Sequence, residues 1–374
     1  MKKIELFKVF MHDNVPEAVG KTLLSGFIGQ GDQVEDFEEV LRKHFGHPWV
    51  NTVNSATSGL QLAVHMAKGQ GLPADSEVLT TPLTCTATNF AITAENLRLR
   101  WVDVNPRTCN VDTDDLARKI THKTAAIMVV HWGGYACDLE RIKEIQNNCY
   151  LLYGWSPPVI EDCAHAWGAT YQGRLLGTHG NAAVFSFQAI KHLTTGDGGC
   201  LLSPNEADHQ RTKLLRWYGL DRNATADFRC QQNIKEWGFK FHMNNIAATI
   251  GLGNYPHIGA LLKINRENGR YYNKTLAEIP GVTLMEDAED RESSYWIYSL
   301  RVENRADFVR KMTENNIMVS QVHDRNDKHD CLKQYRCQLP NLDTLAKEMI
   351  CLPCGWWVTP EDRERIVDCI QRGW

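Results

Sequence analysis

Apolar and polar positions alternate between short strand-like runs and longer helical stripes over the first two thirds of the chain. The strand-like runs lie at residues 49–53, 77–80, 97–104, 125–130 and 159–162, with helical patterns between them. Strands separated by helices form right-handed β-α-β units and a mostly parallel sheet. The pattern therefore predicts an α/β fold, with a three-layer α/β/α large domain over residues 15–253.

From residue 254 to residue 374 the pattern becomes that of a smaller α+β domain. Residues 294–302 alternate like a half-buried strand, and a terminal helix is predicted with Thr359 as N-cap and Pro360 at its first position. Two domains fit a length of 374 residues. Residues 1–14 are expected to pack on the small domain.

One lysine stands at the end of an apolar strand pattern. Residues 182–187 concentrate Val and Phe, Lys191 follows, and residues 194–199 are rich in turn formers. A partly desolvated lysine favours its neutral amine, which can form a Schiff base, whereas an ordinary loop lysine is solvated.

A carboxylate, Asp162, follows the apolar pair Val159-Ile160 at the end of another predicted strand. Parallel sheets bind ligands at that end, although Asp162 could instead cap a following helix. Enzymes that use pyridoxal phosphate need a lysine for the imine and an acid beside the pyridine nitrogen. Lys191 and Asp162 are candidates for these two roles.

Residues 161–199, which run from EDCAHAWGATYQG to FSFQAIKHLTTGDGG, resemble the signature of the DegT/DnrJ/EryC1/StrS family of sugar aminotransferases. Residues 25–46, 53–64, 101–104 and 238–252 also resemble family motifs, in the same order. The resemblance implies the aspartate aminotransferase fold, fold type I, and pyridoxal 5'-phosphate with pyridoxamine 5'-phosphate as its intermediate form. It also implies a cytoplasmic homodimer with shared active sites, active in amino sugar and polysaccharide biosynthesis.

The same resemblance assigns cofactor contacts residue by residue. Lys191 is the imine lysine and the acid–base catalyst. The expected cofactor contacts are Asp162 at the ring nitrogen, His165 near the ring oxygen, Ala56, Thr57 and Ser186 at the phosphate, Cys85 against the ring, and His242 reaching the phosphate of the neighbouring subunit. Two of these positions depart from the family, which usually has glycine where Ala56 stands and an aromatic residue where Cys85 stands.

Two loops are candidates for substrate binding. The glycine-rich loop 25–31 carries Phe27 and Ile28, which the resemblance places in a wall of the site, although the loop could be a simple connector. The loop 323–329 carries His323, Arg325 and His329. It could be solvated, hold a metal, or bind the pyrophosphate of a nucleotide sugar through its arginine and histidines.

Composition argues against several other classes of partner. A net charge of −4 and a pI near 6.4 give no field that attracts nucleic acid or anionic membrane. The start of the chain does not have the pattern of a signal peptide, and the 12 cysteines are expected to be reduced in a soluble, intracellular protein. Cys351 and Cys354, with Cys331 and Cys337, could form a zinc site, but their spacing is unusual and no metal is predicted.

The function expected from this resemblance is transfer of an amino group, with glutamate as donor, to a nucleotide-linked keto sugar. A 4-keto-6-deoxyhexose is the preferred substrate, while the nucleotide, the hexose and amination at C3 or C4 stay open. The alternatives are a dehydratase of the same fold, a transaminase of an eight-carbon acid sugar, and a non-catalytic relative. Family dehydratases replace the lysine with histidine, whereas here Lys191 is present and His192 follows it.

Overall fold

A seven-stranded sheet forms the centre of the protein in a computed structural model that describes residues 2–69, 72–73, 75–222, 224 and 231–374. In spatial order its strands are β1 (Val50–Val53), β9 (Gly199–Leu202), β8 (Ala182–Ser186), β5 (Val159–Asp162), β4 (Thr124–Val130), β2 (Glu77–Thr80) and β3 (Arg98–Trp101). β9 runs antiparallel to both its neighbours, and the other neighbouring pairs are parallel. The predicted fold class, α/β with a mostly parallel sheet, is confirmed.

Helices cover both faces of this sheet. Along β4, Ile127 and Val129 join one buried apolar cluster while Ala126 and Met128 join another, because successive strand residues point to opposite faces. The helices are α1 (Val15–Leu24), α2 (Asp32–Phe45), α3 (Ala56–Lys68), α4 (Thr86–Ala94), α5 (Thr113–Lys119), α6 (Leu139–Tyr153), α7 (Glu206–Leu215), α8 (Asn245–Leu276), α9 (Arg305–Glu314), α10 (Pro340–Glu348) and α11 (Pro360–Gln371).

Two smaller sheets lie outside the central one. An antiparallel sheet in the C-terminal part contains β10 (Val282–Leu284), β12 (Tyr298–Val302) and β13 (Met349–Leu352). The other pairs β11 (Arg291–Glu292) with β6 (Thr170–Tyr171), which in turn pairs with β7 (Arg174–Leu175). Short 3-10 helices occupy Trp132–Gly134, Asn326–Lys328 and Asp330–Tyr335.

The C-terminal part has its own buried cluster, which contains Leu300, Phe308 and Ile366. The N-terminal residue Ile4 belongs to this cluster and forms a bridge with Ile317. The predicted boundary at residue 254 falls within α8, a single helix of 32 residues. The α11 start is as predicted, since the Thr359 side chain accepts a hydrogen bond from the Asp362 N–H.

The predicted strand over residues 294–302 is shorter than expected, because β12 begins at Tyr298. Tyr295 has a φ of 45°, which breaks the extended conformation. The neighbouring N–H groups of Ser294 and Trp296 donate to the carbonyl oxygens of Gly134 and Gly133 instead of joining a strand ladder. Residues 294–297 therefore fold back against the loop that follows β4.

Within the described part of the chain, every helix is too short or too polar to span a membrane.

Candidate active site

Asp162 is the last residue of β5, with its carboxylate buried at the carboxyl end of the parallel strands. Its Oδ2 accepts a hydrogen bond of 2.7 Å from the Thr88 hydroxyl, and its Oδ1 accepts one of 3.0 Å from the Ala164 N–H. Burial raises the pKa of Asp162 above its usual value, although both donors act in the opposite direction. A cation placed beside this carboxylate would favour its ionised form.

Lys191 follows β8 and lies in a turn. Its own backbone N–H donates to the Gln188 carbonyl oxygen. Its Nζ lies 3.6 Å from the centre of the Trp296 ring. Burial lowers the pKa of Lys191 to about 7, while the charge of Asp162 acts in the opposite direction. The amine is therefore substantially neutral at physiological pH and can act as a nucleophile or a base.

Two histidines lie against the same tryptophan. The His165 ring stacks on Trp296 at 3.8 Å between ring centres, and the His323 ring is nearly parallel to His165 at 5.5 Å. Burial and the charge of Lys191 hold the pKa of His165 well below its usual value and lower that of His323 to about 4. Both rings are neutral at pH 7, so each can donate one hydrogen bond and accept another.

The N-terminus of α3 faces the carboxyl edge of the sheet with free backbone donors. The Ser55 side chain caps the Ser58 N–H, and Ala56 is the first helical residue. A Cβ added to Gly199 would lie 2.9 Å from the Ala56 nitrogen, so this glycine lets the strand approach the helix end closely. Ser186 pairs with Gly199 across β8 and β9, which places it beside the same helix end. Such a cradle suits a phosphate group.

Both departures from the family pattern can be accommodated. Ala56 lies outside the set of residues with positive φ, so its Cβ causes no backbone strain. Cys85 is the N-cap residue of α4, partly exposed, and close enough to Lys191 for its charge to affect the pKa of that lysine. The thiol therefore borders the space where the family usually has an aromatic ring.

Phe27 and Ile28 lie on a loop that is tied to α8 rather than to the lysine cluster, by which we mean Lys191, Asp162, His165 and His323. The Asn245 side chain donates to the Phe27 carbonyl oxygen at 2.8 Å and accepts from the Gly31 N–H at 3.0 Å. The Phe27 side chain is 80% exposed. Its predicted contact with substrate stays a prediction.

His242 packs against Trp217 of its own chain, with ring centres 3.5 Å apart. Burial lowers its pKa to about 4, so the ring is neutral, and its buried Nδ1 has no hydrogen-bond partner among the described residues. The Asn54 N–H, at the entrance to α3, donates to the carbonyl oxygen of the neighbouring Phe241. The predicted reach of His242 to a second subunit stays a prediction.

Arg325 is engaged by two acidic residues of the same chain. Its Nε and Nη2 donate to Asp327 at 2.7 and 2.6 Å, and its Nη1 contacts Asp343. These carboxylates raise the pKa of Arg325 and occupy donors that a pyrophosphate would need. His323, by contrast, belongs to the lysine cluster. His323 and Arg325, two of the three residues predicted to bind a pyrophosphate, therefore have different environments.

Among the residues that the structure describes, potential metal ligands gather neither in the loop 323–329 nor at the four cysteines considered for zinc. Cys351 and Cys354 are buried, with sulfurs directed to Ser299 and to the Asn265 carbonyl oxygen, whereas Cys331 and Cys337 are exposed.

Among the described residues, His131, Glu161 and Cys163 are the group whose ligand atoms lie within 4.8 Å of one another. His131 Nε2 and Glu161 Oε2 are 3.0 Å apart, and Asn181 also donates to Glu161. These hydrogen bonds give the buried polar atoms of the group protein partners, so the group is explained as a buried polar cluster below the sheet edge.

Two site residues were missed by the sequence interpretation. Thr88, which donates to Asp162, is four residues after Thr84, and their hydroxyls are 2.8 Å apart. A usable signal was the run of hydroxyl residues Thr84, Thr86 and Thr88 on both sides of the candidate Cys85. Trp296 gave no comparable signal, because it lies 105 positions from Lys191, in a segment whose pattern predicted an ordinary strand.

The assembled residues fit pyridoxal phosphate. The Lys191 amine with its pKa lowered to about 7, the buried carboxylate of Asp162, and the phosphate cradle at α3 meet the three chemical requirements of that cofactor. Together with the sheet topology, they define a fold type I enzyme that uses this cofactor.

Comparison with known proteins supports this class. The model of the DegT/DnrJ/EryC1/StrS aminotransferase family matches residues 11–371, and the chain belongs to that family. It is a pyridoxal-phosphate-dependent aminotransferase, as predicted. The chain is similar to AtS13 from Actinomadura melliaura, with 46% identity, a TM-score of 0.97 and complete coverage of both chains. It is also similar to the sugar aminotransferase CalS13 from Micromonospora echinospora, with 44% identity, a TM-score of 0.96, and coverage of 99% and 100%.

Two curated relatives have names that describe their reactions. The chain is 29% identical over 351 residues to the dTDP-4-dehydro-2,3,6-trideoxy-D-glucose 4-aminotransferase of Saccharopolyspora spinosa, covering 90% of this chain and 88% of the relative. It is 29% identical over 311 residues to the UDP-4-amino-4-deoxy-L-arabinose–oxoglutarate aminotransferase of Shewanella sediminis, covering 80% and 78%.

We expect Thr88→Val to weaken the binding of pyridoxal phosphate to cofactor-free protein about tenfold to a hundredfold. The variant removes one of two donors to the Asp162 carboxylate, and hydrogen bonds to charged groups contribute about 1.5–3 kcal/mol. Titration of the cofactor, followed by absorbance, gives the dissociation constant.

Thr88→Ser, which keeps the hydroxyl, should retain most of the affinity. Thr93→Val on the same helix removes a hydroxyl that bonds only the Phe90 carbonyl oxygen, and it should bind as the wild type does. Wild-type affinity in Thr88→Val would show that Thr88 does not support the carboxylate.

Proposed function

We propose that this enzyme transfers an amino group from glutamate to C4 of a nucleotide-linked 4-keto-6-deoxyhexose. The observation that carries the proposal is a partly buried lysine, whose pKa is lowered to about 7, close to a buried carboxylate at the carboxyl edge of the sheet. The names of the two curated relatives support a 4-keto sugar as acceptor, and the Shewanella name supports glutamate, the amine that corresponds to oxoglutarate. Because the two relatives differ in nucleotide, the base is left open.

The residues that would hold pyridoxal phosphate are those of the lysine cluster and the cradle. Lys191 would hold it covalently, Asp162 would bind its ring nitrogen, and His165 would contact its ring oxygen. Ala56, Thr57 and Ser186 would bind the phosphate with backbone N–H groups and hydroxyls at the positive end of the α3 dipole. When bound, the cofactor supplies an electron sink and a temporary carrier for the amino group.

Lys191 is suited to proton transfer once its amine is free. A pKa near 7 lets Nζ accept a proton at one stage and return it at another without a large free-energy cost in either direction. The Asp162 carboxylate, held by Thr88 and Ala164, would keep a proton on the ring nitrogen beside it. Burial strengthens that interaction, because little water competes for either partner.

The position of His192 favours amino transfer over dehydration. Its Nε2 lies 3.0 Å from the Ser294 carbonyl oxygen, and burial lowers its pKa to about 4. The histidine is thereby committed to a structural contact, whereas Lys191 extends into the cluster. A lysine in this position also argues against a non-catalytic relative, since a buried amine costs stability unless it serves a purpose.

We also propose that the enzyme is a homodimer whose sites are completed across the interface. The end of α1 and the following loop expose Leu24 by 90%, Phe27 by 80% and Ile28 by 47%. Adjacent exposed apolar side chains of this size mark an interaction surface. A second copy covering this surface would bring Phe27, Ile28 and a neutral His242 toward the neighbouring site.

Lys191→Ala should lower kcat by at least about a hundredfold, because general acid–base catalysis by a placed group contributes about 10²–10⁴-fold. Borohydride treatment of cofactor-loaded wild-type protein should leave the reduced cofactor on the peptide that contains residue 191, as measured by mass spectrometry. Lys143→Ala, on the exposed surface of α6, serves as the control and should match the wild type. An unmodified residue 191 peptide would contradict the assignment of the lysine.

The acceptor can be identified by incubating the pyridoxamine form of the enzyme with a panel of nucleotide-linked 3-keto and 4-keto sugars. Conversion back to the pyridoxal form, followed by absorbance, should be fastest with a 4-keto-6-deoxyhexose. Faster conversion by a 3-keto sugar or an eight-carbon acid sugar would contradict the acceptor. Prior loading with glutamate tests the donor separately.

A mixed dimer tests the shared site. Lys191→Ala and His242→Ala homodimers should each be weakly active, and an equal mixture that has exchanged subunits should regain about one quarter of wild-type activity. Half of the dimers are then hybrid, and each hybrid has one site with both residues intact. If His242 served its own chain, both sites of every hybrid would be defective and no activity would return.

A further inference from the structure

Trp296 contacts several members of the lysine cluster. Its indole N–H donates a 2.9 Å hydrogen bond to the carbonyl oxygen of Ile190, the residue before Lys191. The Lys191 Nζ lies 3.6 Å from the ring centre. His165 stacks on the ring at 3.8 Å, and Phe7, from the N-terminal segment, stacks on it at 4.9 Å. One side chain thus supports both the backbone and the amine of the lysine.

The fold places Trp296 there through a backbone turn. The positive φ of Tyr295 ends the extended conformation, and the Trp296 N–H donates to Gly133 in the loop after β4. The ring itself is 4% exposed. Since its two faces are covered by Phe7, His165 and Lys191, the indole has little freedom to move and offers a fixed surface.

An ammonium over a tryptophan face is attracted by the negative potential of the ring, and the attraction grows when water is excluded. Burial acts on the same amine in the opposite direction, since it favours the neutral form. These two effects, together with the charges of Asp162 and Cys85, set how readily the free amine takes up and gives back a proton. Trp296 is the only aromatic ring over which the structure places the Lys191 ammonium among the described residues.

We propose that Trp296 is a positioning residue that holds the ammonium form of Lys191 whenever this amine is not bonded to the cofactor. The proposal rests on the proposed function, in which Lys191 is released and then moves protons. The ring keeps the charged Lys191 side chain in place during that stage. The hydrogen bond from the indole to the Ile190 carbonyl oxygen fixes the backbone just before Lys191. Trp296 contacts the Lys191 amine and the backbone beside it, so in this proposal it acts through Lys191.

The test measures Lys191 in cofactor-free, full-length protein, without any turnover. Brief treatment with acetic anhydride over a range of pH, followed by mass spectrometry of the residue 191 peptide, gives the rate of acetylation and the pKa of the amine. Trp296→Leu removes the ring that stabilises the ammonium, so the pKa should fall. Below the wild-type pKa, Lys191 should then be acetylated about 3- to 30-fold faster, the factor that cation–π energies imply.

Trp296→Phe separates the two contacts of the indole. It keeps an aromatic face but loses the hydrogen bond to Ile190, so the pKa should fall by less than in Trp296→Leu. If circular dichroism shows that Trp296→Leu does not fold, the pKa of Lys191 in Trp296→Phe tests the proposal instead.

Trp132→Phe is the matched control. Trp132 is also buried and lies edge-on to His165, but its N–H donates to Ser299. The control should leave the acetylation profile of Lys191 unchanged.

The proposal is overturned if the aromatic-to-aliphatic change leaves the pKa of Lys191 unchanged, or raises it. A raised pKa would mean that Trp296 acts only by excluding water. Failure of the proposed function would appear elsewhere, as an unmodified residue 191 after borohydride reduction of the cofactor-loaded enzyme. The two failures are therefore distinguishable.

Discussion

The site depends on the parallel register of the three strands at the centre of the sheet. Val130, Asp162 and Val184 are register partners at the same level of β4, β5 and β8. Because all three strands run in one direction, their following loops emerge on the same side. The acid at the end of β5 and the lysine beyond β8 are thereby brought to one edge. A shift of β8 by one residue would turn its side chains to the other face and move the loop that carries the lysine.

Exclusion of water has opposite effects on the two ionisable groups at this edge. It lowers the pKa of Lys191 and raises that of Asp162, because in each case burial disfavours the charged form. The same physical cause thus supplies a reactive amine and a carboxylate that gains from a cationic neighbour. Their mutual attraction limits both shifts. The histidines nearby are kept neutral by the same burial, so they add hydrogen-bonding groups without adding charge.

The sequence was sufficient for those parts of the fold and site that arise from contiguous segments. The alternating strands and helices predicted the parallel sheet, and the motif from residue 161 to residue 199 placed Asp162, His165, Ser186 and Lys191 around one edge. The α3 start, which is one part of the predicted phosphate site, also followed from a single strand, turn and helix.

Contacts between distant segments were not predictable in the same way. The alternation of residues 294–302 fitted one strand, whereas hydrogen bonds to Gly133 and Gly134 turn its first half toward Lys191. Arg325 seemed available for a pyrophosphate until the structure placed Asp327 and Asp343 around it. The roles of Phe27, Ile28 and His242 depend on a second subunit, which no single chain describes. In each case the deciding partner lies far along the sequence or on another molecule.

The long helix α8 has a consequence for how the enzyme can admit a bulky substrate. Its first turns pack with α1 and α2, and its later residues Tyr272 and Leu276 lie in the C-terminal cluster. A continuous rod shared by two cores resists hinge motion, since bending it would break backbone hydrogen bonds in its interior. Pro256 is the weakest point, because it lacks an N–H and leaves one carbonyl oxygen without its usual helical donor. Opening of the cleft is therefore expected to come from its bordering loops, with any flexing between the two halves centred on this proline.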